Sequence, residues 1–90
     1  MAVVWRARAI QDITNIVRYI ALDNASAAVM MAKTLSDAGD SLATLPNRGR
    51  PGRSPGTREL VITPNYILVY RVSEPETVTI LRVWHAKQNR

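Results

Sequence analysis

Residues 46–58, which read PNRGRPGRSPGTR, form the segment that most restricts how this chain can fold. Three of the four glycines and three of the five prolines lie in it. Proline cannot continue a helix, and glycine adopts backbone conformations that other residues avoid, so the segment is predicted to be a loop. It separates a first half with helical spacing of its apolar residues from a second half with the composition of β-strands.

Apolar residues before the loop recur at spacings of three and four, which is typical of amphipathic helices. The first stripe predicts a helix over residues 8–22, with Asp12 in the first turn, where a negative charge stabilises the helix dipole. Asn24 is a preferred N-cap residue, and it predicts a second helix over residues 25–45 that Pro46 ends. Two helices joined by so short a connection form an antiparallel hairpin with a shared apolar face.

Four segments are predicted to be strands because β-branched and aromatic residues dominate them. They are residues 2–5, 58–62, 66–72 and 78–84, with turns at residues 63–65 and 73–76. The predicted fold class is therefore α+β, a two-helix hairpin packed on a small antiparallel sheet in the order β-α-α-β-β-β. Strict alternation would place Thr79, Leu81, Val83 and His85 on one face of the last strand, and Val78, Ile80, Arg82 and Trp84 on the other.

Size and charge limit the possible functions. The 90 residues are the length of one domain, and the formal net charge of +5 lies entirely after residue 45. This charge predicts an anionic partner, either nucleic acid, an acidic protein or a charged membrane face. With no cysteine and one histidine we expect neither a metal site nor a cofactor. No apolar run approaches the roughly 20 residues of a membrane span, so we expect a cytoplasmic protein.

The basic loop is one candidate binding site. Its arginines Arg48, Arg50 and Arg53 alternate with glycines that let the backbone approach a ligand, and guanidinium groups match phosphate oxygens. The alternative interpretation is a solvated connection whose arginines only promote solubility. Ionised arginines are rarely buried alone, so Arg71 and Arg82 are expected on the sheet face away from the helices.

Glu59 and His85 are the candidate acid and base groups. Glu59 is interpreted as the partner of Arg71 or Arg82 in a cross-strand ion pair, or else as a general base. Neighbouring arginines would lower the pKa of its carboxyl group and weaken it as a base. His85 either acts in proton transfer or hydrogen-bonds to its surroundings.

The segments GRPGR, GTREL, YILVYRV and ILRVWHAKQ follow a helical pair that opens QDITNIVRYIALDNASAA. In this order and spacing the chain resembles the RelE/ParE superfamily of type II toxins, most of all its ParE branch, over essentially its whole length. The resemblance implies a small toxin that a cognate, ParD-like antitoxin encoded beside it holds inactive. ParE-like members poison DNA gyrase, whereas RelE-like members cut messenger RNA on the ribosome. Ile67 stands where an arginine of the ribonucleases is expected, and the RelE-type loop lysines are replaced, so a gyrase inhibitor is favoured.

Three functions stay open on the sequence. A non-enzymatic gyrase toxin would bind its target through the residues Arg48, Arg50, Arg53, Arg58, Arg71, Trp84 and Lys87. A ribosome-dependent, metal-independent mRNA endoribonuclease would hold phosphates with Arg58, Arg71 and Arg82 and transfer protons with Glu59 and His85. The third possibility is a non-toxic basic interaction module.

The expected antitoxin is acidic, and the expected assembly is a hetero-oligomer of toxin and antitoxin. An apolar helical hairpin with a charge of +5 suits an acidic amphipathic helix and strand laid over the groove between helices and sheet. The candidate contacts are Ile13, Val17, Ile20, Met31 and Leu35, each of which is alternatively a core residue.

Overall fold

The computed structural model describes residues 1–73 and 76–87. Its elements follow the order β1 (Ala2–Trp5), α1 (Ala7–Ala21), α2 (Ala25–Ser41), β2 (Arg50–Pro51), β3 (Arg58–Thr63), β4 (Tyr66–Ser73) and β5 (Thr77–His85). The helical hairpin packs on one face of a five-stranded sheet, which confirms the predicted fold class. Residues 74 and 75 of the second predicted turn lie outside the described residues.

The two helices begin close to where the sequence predicts. The Asn24 side chain accepts a hydrogen bond from the Ala27 backbone N–H at 3.0 Å, so Asn24 is the N-cap of α2. The first turn of α1 contains no acidic residue, because the helix starts at Ala7 and Asp12 lies one turn further on. The prediction that Asp12 stabilises the helix dipole from the first turn was therefore wrong.

The second helix ends at Ser41, four residues earlier than predicted. A proline nitrogen cannot donate the next helical hydrogen bond, and proline also disfavours helical geometry in the residue before it. Turns bonded three residues apart follow the helix instead, as in the bond from the Ala43 N–H to the Asp40 carbonyl at 3.1 Å. Leu45 is consequently exposed, although the sequence pattern placed it on the apolar stripe.

The strands lie in the order β1-β5-β4-β3-β2. Three of the four pairings are antiparallel, and the pairing of β1 with β5 is parallel, so the sheet is mixed and not purely antiparallel. The two-residue strand β2 arises inside the basic loop and pairs only with Arg58 and Glu59 of β3. No sequence pattern predicted it, because two residues are too short to show an alternation.

A β-bulge interrupts β5 at Leu81. Tyr70 pairs with Ile80 and Val69 pairs with Arg82, so Leu81 is an extra residue between them. The bulge reverses the alternation, and Val83 therefore joins Val78 and Ile80 in the core beneath the helices. The strict two-face division predicted for this strand was wrong for that reason.

The core lies between the helices and one face of the sheet. Its buried residues include Leu35 and Leu42 of α2, Leu68 and Tyr70 of β4, and Ile80 of β5. Gly39 allows the close packing of Trp5 against α2: a Cβ atom there would overlap the Trp5 ring and lie 2.9 Å from Ile80 Cδ1.

Candidate target-binding and partner-binding surfaces

The buried Tyr70 hydroxyl fixes the start of the basic loop. It donates a hydrogen bond to the Pro46 carbonyl at 2.7 Å and accepts one from the Gly49 N–H at 2.8 Å. A Cβ atom at Gly49 would lie 2.8 Å from the Tyr70 ring and 2.9 Å from the Glu59 carbonyl oxygen, so only glycine fits this approach. The beginning of the loop is thus part of the folded structure, while Arg48 and Arg50 remain exposed at its surface.

Replacing Tyr70 by phenylalanine is expected to lower the free energy of unfolding by about 1.5 kcal/mol. The ring still fills the core, but the Gly49 N–H and the Pro46 carbonyl each lose their partner. Urea denaturation measures the change, with Tyr19→Phe as the control because that tyrosine is exposed. An unchanged unfolding midpoint for Tyr70→Phe would contradict the assigned role.

Glu59 is 5% exposed, and its side chain holds part of the loop in place. Its carboxylate accepts hydrogen bonds from the Arg50 guanidinium at 3.4 Å and from the Arg53 backbone N–H at 3.3 Å. The predicted ion pair of Glu59 therefore exists, but its arginine comes from β2 and is neither Arg71 nor Arg82. Sequence reasoning missed this partner because it did not predict β2.

Two of the three arginines that a ribonuclease would use to hold phosphates, Arg58 and Arg82, are bonded within the chain. Arg58 Nη1 donates to the Gly49 carbonyl at 2.7 Å. Arg82 donates twice to the Asp12 carboxylate, from Nε at 2.8 Å and from Nη2 at 3.1 Å. The hydrogen bond with Asp12 raises the pKa of Arg82 above its usual value. The guanidinium carbon of Arg82 also lies 5.1 Å from the centre of the Trp84 ring.

Asp12 is a residue that sequence reasoning did not place at the site. Besides Arg82, its carboxylate accepts the Val83 backbone N–H at 2.9 Å. The parallel strand β1 pairs with β5 only as far as Ile80, so Asp12 satisfies a donor on the edge of β5 just beyond that point. An acidic residue in the second turn of a helix gave no signal of this contact, which spans 70 positions of sequence.

The remaining predicted target-binding cations are exposed. Arg71 lies on the sheet face away from the helices, as expected, and it pairs with Thr79 of β5. Arg48, Arg50 and Arg53 are exposed around β2, at the opposite edge of the sheet from β1. Lys87 is exposed just after β5. The basic groups therefore extend from the β2 edge across the outer face of the sheet.

His85 is half-buried at the end of β5. Its ring meets Tyr66 edge-on, with 5.3 Å between the ring centres. Its Nδ1 atom accepts a hydrogen bond from the Lys87 backbone N–H at 3.2 Å. These contacts fit the interpretation of His85 as a residue that hydrogen-bonds to its own surroundings.

The predicted antitoxin contacts differ in accessibility. Leu35 is 0% exposed and belongs to the core, so it offers no surface to a partner. Ile13, Val17, Ile20 and Met31 are partly buried. Five large apolar side chains protrude from the hairpin: Ile10, Tyr19, Leu22, Val29 and Met30. The apolar stripe predicted for the first helix included Ile10, whereas the other four lie outside the predicted stripes, so the periodicity did not select them.

The fold and these surfaces define a small basic α+β protein. A family model described as the ParE toxin of type II toxin-antitoxin system, parDE, matches residues 3–90. The chain belongs to this family, and it is therefore a toxin of a type II toxin-antitoxin system. The resemblance to the RelE/ParE superfamily is thereby confirmed.

Individual proteins show the same relationship. Toxin RelE2 of Caulobacter vibrioides is 44% identical over 84 residues, covering 93% of each chain. The chromosomal ParDE system from P. aeruginosa has a chain of the same fold, with a TM-score of 0.85, 21% identity and 97% of each chain covered. The toxin-antitoxin complex RelBE2 from Mycobacterium tuberculosis contains a chain with a TM-score of 0.59 and 31% identity, covering 93% of this chain and 95% of that one. Within residues 1–73 and 76–87, no helix has the length and apolarity to cross a membrane.

Proposed function

We propose that this chain is a gyrase-directed toxin that acts by binding and is neutralised by an acidic cognate antitoxin. The proposal rests on one observation: the side chains that RNA cleavage would require are already hydrogen-bonded to other groups of the chain. The Glu59 carboxylate is buried and holds Arg50 and the Arg53 backbone, and Asp12 occupies Arg82 through two hydrogen bonds. A general base must reach the proton that it abstracts, and a buried, already bonded carboxylate is poorly placed for that.

The charge distribution supports binding to a large anionic target. The exposed cations of the basic loop and of the outer sheet face lie on the β-half of the chain, which carries the whole net charge of +5. Complementary charge accelerates association and selects partners more than it adds affinity. Membership of the ParE family supports gyrase as the target, because ParE-like toxins are understood to poison that enzyme.

The direct test is a supercoiling assay with purified gyrase and purified toxin. We expect the toxin to reduce supercoiling and to trap cleaved DNA. Arg71→Glu is expected to weaken inhibition about tenfold, equivalent to about 1.4 kcal/mol, because it reverses an exposed charge on the proposed binding face. Arg18→Glu is the matched control, since Arg18 is also exposed but lies on α1.

Two results would decide against this function. Gyrase that is unaffected at saturating toxin would contradict the target. If the toxin cleaves transcripts on the ribosome and His85→Gln abolishes the cleavage, the ribonuclease alternative is established instead. The name of the relative RelE2 is consistent with that alternative.

The antitoxin is proposed on two grounds. The solved ParDE and RelBE2 structures are toxin-antitoxin systems, and the present chain shares their fold. The exposed apolar residues of the hairpin, together with a net charge of +5, also fit an acidic, amphipathic partner. We expect co-expression with the antitoxin to be required for good yield, and abundant, harmless expression of the chain alone would contradict the toxin assignment.

A further inference from the structure

We propose that a pocket beside the basic loop binds the phosphate group of a small phosphate monoester, and that Arg58 is the residue that holds it. The feature that carries the inference is a half-buried positive charge that no carboxylate of the described residues balances. The pocket is separate from the exposed cations of the proposed target-binding surface, so the inference goes beyond the proposed function and does not depend on it.

The alternation of β3 places Arg58 on the side of the sheet that faces the helices. Arg58 pairs with Tyr70 and Leu60 pairs with Leu68, so these four side chains share one face. The other three are buried members of the core. An arginine at the next position of this face is not explained by packing, because ionised side chains are rarely buried without a partner.

Arg58 and Arg82 are the two half-buried arginines in the described part of the chain. They differ in what compensates their charge. Arg82 pairs with the Asp12 carboxylate, whereas the acceptor of Arg58 is the uncharged Gly49 carbonyl at 2.7 Å. The bond to Gly49 fixes the direction of the guanidinium group and uses only one of its N–H donors. The charge of Arg58 and its other donors are therefore available to an anion from outside the chain.

The pocket that Arg58 lines has a volume of about 320 Å³. The other lining residues are Asn47, Pro51, Gly56, Thr57 and Val72. The Asn47 carboxamide can donate to a second oxygen of a bound phosphate, and Pro51 and Val72 offer apolar contact to the organic group that the phosphate carries. Pockets for small molecules begin at about 300 Å³, so the space fits a phosphate with a small organic group.

Charge favours a phosphate monoester over other anions. Among the described residues, no acidic side chain lines the pocket. Arg48 and Arg50, which adjoin the lining residues in sequence, are exposed, and the carboxylate of Glu59 is bonded to Arg50. A phosphate monoester carries a charge of about −1.5 to −2 at pH 7, so it gains more from the surrounding positive charge than a singly charged carboxylate or phosphodiester does.

The test is an NMR titration of the purified full chain with phenyl phosphate, at an ionic strength held constant with sodium chloride. The side-chain signals of Asn47 and Arg58 are expected to shift and to saturate in the millimolar range. Arg58→Gln is expected to weaken binding at least about tenfold, and Arg18→Gln, which removes an exposed charge on α1, to leave it within about twofold.

A second variant guards against loss of folding in the first. Arg58→Lys keeps the charge and a donor for the Gly49 carbonyl but loses the planar guanidinium group, so it should bind phenyl phosphate at least about threefold more weakly. Shifts that do not saturate overturn the inference. Equal affinities of the wild-type chain and of the folded Arg58 variants overturn it as well, as does an equal loss in Arg18→Gln.

Two other anions test the preference for a monoester. Sodium acetate and a DNA duplex without terminal phosphates, the latter at equal phosphate concentration, are each expected to bind at the pocket signals at least about tenfold more weakly than phenyl phosphate. Equal binding of acetate would indicate a general carboxylate site, and equal binding of the duplex a contact with the DNA backbone. Either result overturns the inference. Gyrase inhibition is measured separately, so failure of the pocket test leaves the proposed function standing.

Discussion

Replacing Asp12 by alanine is expected to lower the free energy of unfolding by about 3 kcal/mol. The change removes three hydrogen bonds at once, two from Arg82 and one from the Val83 backbone N–H. It leaves a partly buried guanidinium without its carboxylate, and the edge of β5 without the acceptor that continues its bonding after β1 ends. Urea denaturation of the purified chain measures the loss.

Two variants separate the charge from the hydrogen bond. Asp12→Asn retains an oxygen that can accept the Val83 N–H and is expected to lose about half as much. Asp37→Ala removes an exposed carboxylate that pairs with Lys33 within one helix, and it should leave the midpoint nearly unchanged because exposed pairs contribute little. Similar losses for Asp12→Ala and Asp37→Ala would show that the contact between α1 and β5 has no special importance.

Replacing Leu35 by alanine is expected to cost about 3 kcal/mol of unfolding free energy, within the range for large-to-small changes in a core. Leu35 is completely buried in the cluster that joins α2 to the sheet, so truncation leaves a cavity as well as losing apolar burial. Leu22→Ala removes the same atoms from a side chain that is 81% exposed, and it should change stability little.

The same pair of variants separates a core role from a partner-binding role. In conditions where both variants are folded, Leu35→Ala should bind the antitoxin with nearly unchanged affinity, because Leu35 has no exposed surface. Unimpaired stability together with a large loss of antitoxin affinity would mean that Leu35 contacts the antitoxin, which is the first of the two roles that the sequence left open for it.

Much of the fold was predictable because its signals are local. The spacing of apolar residues located both helices, Asn24 located the start of α2, and β-branched runs located β1, β3, β4 and β5 to within one residue at each end. The errors in the sheet occurred where a distant contact decides the geometry. The bulge at Leu81 is invisible to a strict alternation, because the extra residue is defined by its mismatch with β4.

The candidate site was predictable in its residue types but not in its bonding. Glu59 was identified as a partner of an arginine, yet the identity of Arg50 depended on a strand of two residues. Arg58 and Arg82 were expected to face a ligand, yet each is bonded to an acceptor within the chain, the Gly49 carbonyl and Asp12. The positions of the basic residues in the sequence do not show which of them are hydrogen-bonded within the folded chain.

The amino-acid sequence by itself determined the division of this protein into a neutral helical half and a basic β-half, because residue spacing, capping and charge are properties of neighbouring positions. Only the tertiary structure decided which arginines stay exposed, how Asp12 joins α1 to β5, and that among the described residues β2 pairs with β3 no further than Glu59. These features depend on contacts between residues far apart in the chain, and their geometry is fixed only when the helices and the sheet pack together.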